Sequence, residues 1–369
     1  MRIRLFLLIL FVVPTTPPVS AQDDAAMEVL DVLAEEPYNV SLAVYNLGDE
    51  ENGFFHNERA MRPLASTIKI LVLAEYARRV TEGELNPDEL IHVDSLNSYY
   101  FEGTDGGAHE AAMDALEDAG RLEDDQLSLH DVSDAMIRFS DNTAADYFIL
   151  RFGREAMEAL PERVGTPYTE PPLPISGLFL AWDLPYQFGE DPSLSASAME
   201  DRAWHFGGRL RNSWKFVGDM QAWMEDFGER MTYYDLSAAV LSFPAGSARA
   251  YADIMADLYR GELISQEVSE LMLEYLDWPM ENEGMSSAFT TFATKGGSLP
   301  SVLTSAYVID RVPAEGTDHP PTALSLLIEG LSEEIWLDWL TTFKHQEFEL
   351  RLMTDPAFRY VALERLRDK

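Results

Sequence analysis

The placement of β-patterned segments at the two ends of the chain, with helical patterning between them, constrains the fold most. Residues 39–47 and 53–56 read as paired strands joined by a turn at Gly48-Asp49-Glu50, after a helix over 25–35. Residues 288–293, 302–310 and 322–329 read as three more strands, followed by a long helix from Ser332. Between these ends, Ser66 opens an apolar helix to about Val80, and helices follow over 129–139, 143–152 and 250–275. Strands so far apart in sequence share one sheet only if both ends of the chain come together. The expected architecture is therefore α/β (α+β) and two-lobed, with an antiparallel sheet flanked by helices and an inserted all-helical domain. In boundaries, 25–62 and 281–352 form the sheet lobe, 63–280 the helical lobe, and 353–369 a C-terminal extension.

Two stretches of the helical lobe are atypical. Residues 102–127 carry nine acids against Arg121 among Gly and Ala, which reads as a solvated insertion. Residues 175–245 hold Trp182, Trp204, Trp214 and Trp223, four of the seven tryptophans. Within them Phe216, Met220, Trp223, Met224 and Phe227 fall on one helical face, either a wall over a cleft or a stripe packing the insertion onto the body.

Composition removes several function classes. With 64 Asp+Glu against 27 Lys+Arg the net charge is −37, which argues against nucleic acid, because phosphate recognition needs clustered cations. The acidity fits either a salty habitat or plain solubility. The absence of cysteine excludes disulfides, thiolate metal sites and a Cys nucleophile. Residues 1–21 read as an export signal: Arg2 and Arg4, an apolar run from Leu5 to Val13, and Val19-Ser20-Ala21 before Gln22. That run is far short of the ~20 residues needed to span a membrane. The expectation is an exported bacterial protein, periplasmic or extracellular, with no membrane span, no cofactor, no metal, and a monomeric state.

Three short motifs carry the chemistry. In Leu64-Ala65-Ser66-Thr67-Ile68-Lys69 a Ser and a Lys three apart share a helix face, so the amine can reach the hydroxyl. A serine hydroxyl needs an adjacent base, and a lysine serves if burial lowers its pKa. Ser140-Asp141-Asn142 lies between two helices and supplies a hydroxyl and an amide, or else an ordinary N-cap for the helix from Thr143. Lys295-Gly296-Gly297 follows a strand, where glycines allow close backbone approach, or forms a plain turn. Chance produces the three in this order at a rate on the order of one in a thousand, so they are read together.

S-x-x-K, S-D-N and K-x-G in this order resemble the motif set of class A β-lactamases and penicillin-recognising serine enzymes. The resemblance covers about residues 25–352. It implies Ser66 as acyl-forming nucleophile, Lys69 as its proton acceptor and Ser140 as proton relay to the leaving group. It also implies Asn142 as binder of the acyl amide, Lys295 with Gly297 at a substrate carboxylate, and an oxyanion hole from the N–H groups of Ser66 and Ser298.

Two positions depart from the family pattern. The residue after the strand lysine is usually Thr or Ser, and here it is Gly296, for which Ser298 or Thr294 is a candidate substitute. The family's E-x-x-L-N loop, whose Glu activates the deacylating water, becomes Glu170-Pro171-Pro172-Leu173-Pro174. Proline has no side-chain amide to hold that water, so Glu170 is either the base or a solvated loop acid. The implied substrate is a small-molecule or peptide amide, above all a β-lactam. The alternatives are a D,D-peptidase acting on peptidoglycan peptides, or a slow-turnover or non-catalytic protein that binds β-lactams or the cell wall. No H-E-x-x-H, G-x-S-x-G or phosphate loop competes with this reading.

Overall fold

The computed structural model describes residues 19–101, 104–166, 168–182, 199–212, 232–313 and 319–367. Most of the 1–21 export segment and the Phe216–Phe227 stripe thus lie outside the described residues. The chain forms two compact units. Of the described residues, one contains those of Ile68–Gly165 and Glu170–Pro244; the other contains those before Ile68, Thr166–Thr169 and those from Ala245 onwards.

The second unit is built on a five-stranded antiparallel sheet. Its order is Phe54–His56, Val40–Asn46, Thr322–Ile328, Val302–Arg311, Phe289–Leu299, so the two ends of the chain meet in the middle of the sheet. The central strands are apolar on both faces, because helices cover both. Tyr45 donates to Asp253 at 2.6 Å on the helix Ala248–Arg260, whereas Ser305 and Tyr307 donate to Glu349 at 2.6 and 2.8 Å on Lys344–Thr354. Tyr45 pairs through Ala323 with Val308, the neighbour of Tyr307, so alternation puts the two helices on opposite faces. Leu42, Val44, Leu324, Leu326 and Val308 are at most 1% exposed, and each such side chain stabilises by roughly 1.5–3 kcal/mol. Burial pushes the Glu349 carboxyl up to about 7.

Residues 245–280 belong with this sheet unit rather than with the helical one, since Ala248–Arg260 packs on the sheet. Pattern alone does not separate a helix that covers a sheet from one inside a bundle. The strand expected over 288–293 runs on to Leu299, because Lys295 to Leu299 stay paired with Ala306 to Val302. The long helix expected from Ser332 is three helices, Glu333–Thr342, Lys344–Thr354 and Pro356–Arg367. Phe343, at φ 57°, turns the chain at the first break, and Pro356 starts the third helix.

In the first unit Lys69–Thr81 is buried all round over its first nine residues. It packs against Asn142–Phe152, with the Tyr76 and Phe148 rings 5.1 Å apart. Glu75, fully buried on this helix, receives Arg78 at 3.0 Å, Arg79 at 2.7 Å and Arg163 at 2.6 Å. Burial raises its pKa, but the hydrogen bonds and charge of Arg78, Arg79 and Arg163 bring it below the ordinary value. Glu75→Gln leaves three arginines short of a counter-charge, and breaking such a pair costs about 3 kcal/mol. A thermal melt should show Tm lowered by roughly 5–10 °C, and an unchanged Tm refutes a stabilising role.

The acidic stretch 102–127 is not solvated throughout. It contains the helix Ala108–Asp118, on which His109, Ala112 and Leu116 are buried, and Asp105 is buried just before it. The aromatic stretch packs onto its own unit where it is described: Ile175, Leu178, Phe179, Ala203 and Phe206 are buried. A Cβ at Gly177 would lie 2.0 Å from the Ala203 carbonyl, so only glycine lets Ile175–Trp182 approach Met199–Asn212 this closely.

Candidate active site

Lys69 opens its helix with no exposed surface. Its Nζ donates to the Ser140 carbonyl and, at 2.7 Å, to Asn142 Oδ1, with Ser140 Oγ at 3.2 Å. Burial pulls its pKa down to about 8, against the opposing pull of Asp141, Asp105 and Asp146. About a tenth of such amines are neutral at pH 7, compared with fewer than about one in a thousand for an ordinary lysine. A neutral amine has two N–H donors, which the two carbonyl oxygens satisfy. In that form the nitrogen also carries a lone pair that can accept a hydroxyl proton.

The turn that meets Lys69 has a distinct backbone. A π-helical turn over Ala135–Phe139 ends in Ser140 at φ 63°, ψ 29°, a left-handed conformation that costs a non-glycine residue about 1–2 kcal/mol. Both devices concentrate at functional sites. Asp141 accepts the Thr143 N–H at 2.7 Å and so caps the next helix. The cap and the site are therefore one element: Asp141 caps, while its neighbours Ser140 and Asn142 engage Lys69.

In the sheet unit Ser66 sits on a 3₁₀ turn, Ala65–Ile68, rather than at an α-helix start. Ala65 is at φ 47°, and Ser66 is half-buried while Leu64, Ala65, Thr67 and Ile68 are buried. The Leu64 carbonyl accepts from Thr67 Oγ1 at 2.5 Å and from Thr304 Oγ1 at 2.8 Å, which ties the turn to the sheet. Gly297 pairs with Thr304, and a Cβ there would lie 2.5 Å from the Ser66 nitrogen and 2.6 Å from Thr304 Oγ1. Glycine is thus required for the strand to reach the Ser66 amide.

Lys295 is 2% exposed and donates to the Gly296 carbonyl at 2.7 Å. Alternation puts Lys295 and Gly297 on one face and Thr294, Gly296 and Ser298 on the other. Ser298 Oγ accepts the Trp336 indole N–H at 3.0 Å, and Thr294 is fully buried. Both hydroxyls suggested as substitutes at Gly296 are therefore held within the core.

Glu170 is exposed, and Pro174 is buried against Gly207. The loop they bound is pinned at its end by Asp146, whose oxygens accept the N–H groups of Ile175 at 2.6 Å and Ser176 at 2.9 Å. Burial pushes the Asp146 carboxyl up to about 6 against those donors. Sequence reasoning missed Asp105, His109 and Asp146, since their burial comes from tertiary contacts and no local motif marks it. Among the described residues no group of three or more His, Asp or Glu is placed to hold a metal ion, and no helix is long and apolar enough to cross a membrane.

Several solved structures share this fold. A β-lactamase from Sphaerobacter thermophilus aligns at a TM-score of 0.52 and 17% identity, covering 91% of this chain and 97% of its own. One from Chitinophaga pinensis aligns at 0.51 and 13%, covering 88% and 98%. The chromosome-encoded β-lactamase of Vibrio parahaemolyticus aligns at 0.51 and 13%, covering 89% and 97%. No curated protein matches the sequence. The sequence profile of the beta-lactamase enzyme family matches residues 24–316, most of the chain. On that match the chain belongs to the beta-lactamase enzyme family.

Proposed function

We propose that the protein is an exported serine hydrolase that opens a β-lactam, or a related amide, through an acyl-serine intermediate. The observation that carries this reading is the fully buried Lys69 amine, held between the Ser140 and Asn142 oxygens with its pKa near 8. Neutral Lys69 takes the proton from Ser66 Oγ as that oxygen attacks the substrate carbonyl, which requires the amine to meet a hydroxyl three residues earlier on the same stretch of chain. The backbone N–H groups of Ser66 and Ser298 stabilise the oxyanion. Ser140 returns a proton to the departing nitrogen, Asn142 holds the acyl amide, and Lys295 with Gly297 receives the substrate carboxylate. Water then frees the acid product.

The pattern of residues 1–21 supports export to the periplasm or beyond, and a single small-molecule substrate is consistent with action as a monomer. Turnover of a penicillin, compared with that of a peptide ending in D-Ala-D-Ala, tests the substrate class. The reading expects ring-opened penicillin and intact peptide. Release of D-Ala with a stable penicillin adduct assigns a D,D-peptidase instead, and neither reaction assigns a binder.

A further inference from the structure

The buried cluster behind the Ser140–Asn142 turn holds one ring whose place calls for an account. His109 is 4% exposed, and its Nδ1 lies 2.9 Å from Asp141 Oδ2 while its Nε2 lies 2.9 Å from Asn97 Oδ1. Asp105 accepts the His109 backbone N–H at 3.0 Å and the Gly107 N–H at 3.0 Å, which fixes the start of the helix carrying the ring. The Tyr100 ring lies against the imidazole, with centroids 4.6 Å apart. Both ring nitrogens thus face oxygen acceptors, and only a doubly protonated imidazole supplies both with hydrogen. Asp141, on the far side, is the residue between Ser140 and Asn142, the two that engage Lys69.

We infer that His109 is a positioning residue for the reaction at Lys69: it holds the Ser140–Asn142 turn through Asp141, and its charge offsets that of Asp141 and Asp105. The inference rests on the hydrolase reading given above.

The charge balance shows why such a residue is needed. Asp141, Asp105 and Asp146 all favour a protonated Lys69, and a base that keeps its proton is no base. His109 is the cation placed directly against Asp141. The other charged groups on elements packed around its helix have their own partners. Arg138 of the π turn lies 3.3 Å from Asp134, Asp146 is held by the Ile175 and Ser176 N–H groups, and Glu110 receives the Tyr100 hydroxyl. Burial pulls the His109 pKa down, but Asp141, Asp105 and Glu110 together raise it above the ordinary histidine value. Burial likewise raises Asp141, which His109, Lys69 and the Thr143 N–H bring below the ordinary carboxylate value.

Two measurements test this. In the wild-type protein, ¹⁵N spectra of the imidazoles should show His109 doubly protonated at pH 7; a neutral ring at that pH overturns the inference, whatever the activity. The pH dependence of penicillin acylation is then compared for wild type and His109→Asn, which keeps an N–H towards Asp141 and loses the charge. The rising limb should move to higher pH by about one unit in the Asn variant, because Lys69 then holds its proton more tightly. His109→Leu, which loses the donor too, should show the same shift and in addition a plateau lower by about tenfold or more. A lowered plateau or Tm with an unmoved limb in both variants assigns His109 a purely structural role and overturns the inference. Absence of any adduct on the wild-type protein overturns the hydrolase reading itself, an outcome distinct from an unmoved limb.

Discussion

Lys69→Met should slow acylation by a β-lactam about 10²–10⁴-fold, the usual worth of a positioned general base. Methionine fills the buried space without a charge or a lone pair able to take the serine proton. The substitution leaves the Ser140 carbonyl and Asn142 Oδ1 without the amine that now reaches them, at about 1–3 kcal/mol for each buried group. Tm should therefore fall by several degrees while the protein still folds. In the wild type, acylation should rise with pH and level off above about 8, because the reactive form is the neutral amine and burial brings its pKa to that range. Stopped-flow acylation by a chromogenic cephalosporin reads both quantities. A Met variant within tenfold of wild type, or a rate that falls between pH 7 and 8, removes Lys69 from the role of base.

Acyl-enzyme should accumulate, since the groups for acylation all have candidates and the amide that would hold the deacylating water does not. A deacylating water needs a base and an amide to hold it, and Pro174 offers no amide while Glu170 is exposed. Loss of one well-placed polar group from a transition state costs about 10²–10³-fold, so steady turnover of a penicillin should lag behind its acylation by at least that factor. Glu170→Gln should alter deacylation by less than about twofold, as expected of a substitution on the surface. Pre-steady-state kinetics should show a burst matching the enzyme concentration. Fast linear turnover without a burst contradicts the expectation, and so does a large effect of Glu170→Gln.

The sheet was legible because strand patterning at both ends leaves few ways to build one sheet, whereas its strand order comes from the pairing in the structure. The extent of the Lys295 strand was not, since Gly296-Gly297-Ser298 has the composition of a turn and is held extended by pairing with Val302 to Ser305. Nothing in the sequence marks Phe343 as a left-handed residue, and the helix that starts at Pro356 went unread within the single long helix expected from Ser332. In the candidate site, Lys69, Ser140 and Asn142 were legible from short motifs, and the structure brings those three together. Gly297 was legible too, and its need for glycine follows from the nearness of the Ser66 amide. Asp105 and His109 were hidden by their surroundings: a stretch rich in Asp and Glu reads as solvated, and only the contact with Asp141 shows otherwise.

The account turns on an acyl bond at one serine. Intact-protein mass after brief incubation with a penicillin, followed by mapping of the modified peptide, measures it directly. The wild type should gain the full mass of one penicillin, carried by the peptide containing Ser66. Ser66→Ala should gain none and melt within a few degrees of wild type, because the loss of one partly exposed hydroxyl costs at most ~2 kcal/mol. An adduct on another residue, or labelling of Ser66→Ala at the wild-type rate, contradicts the account.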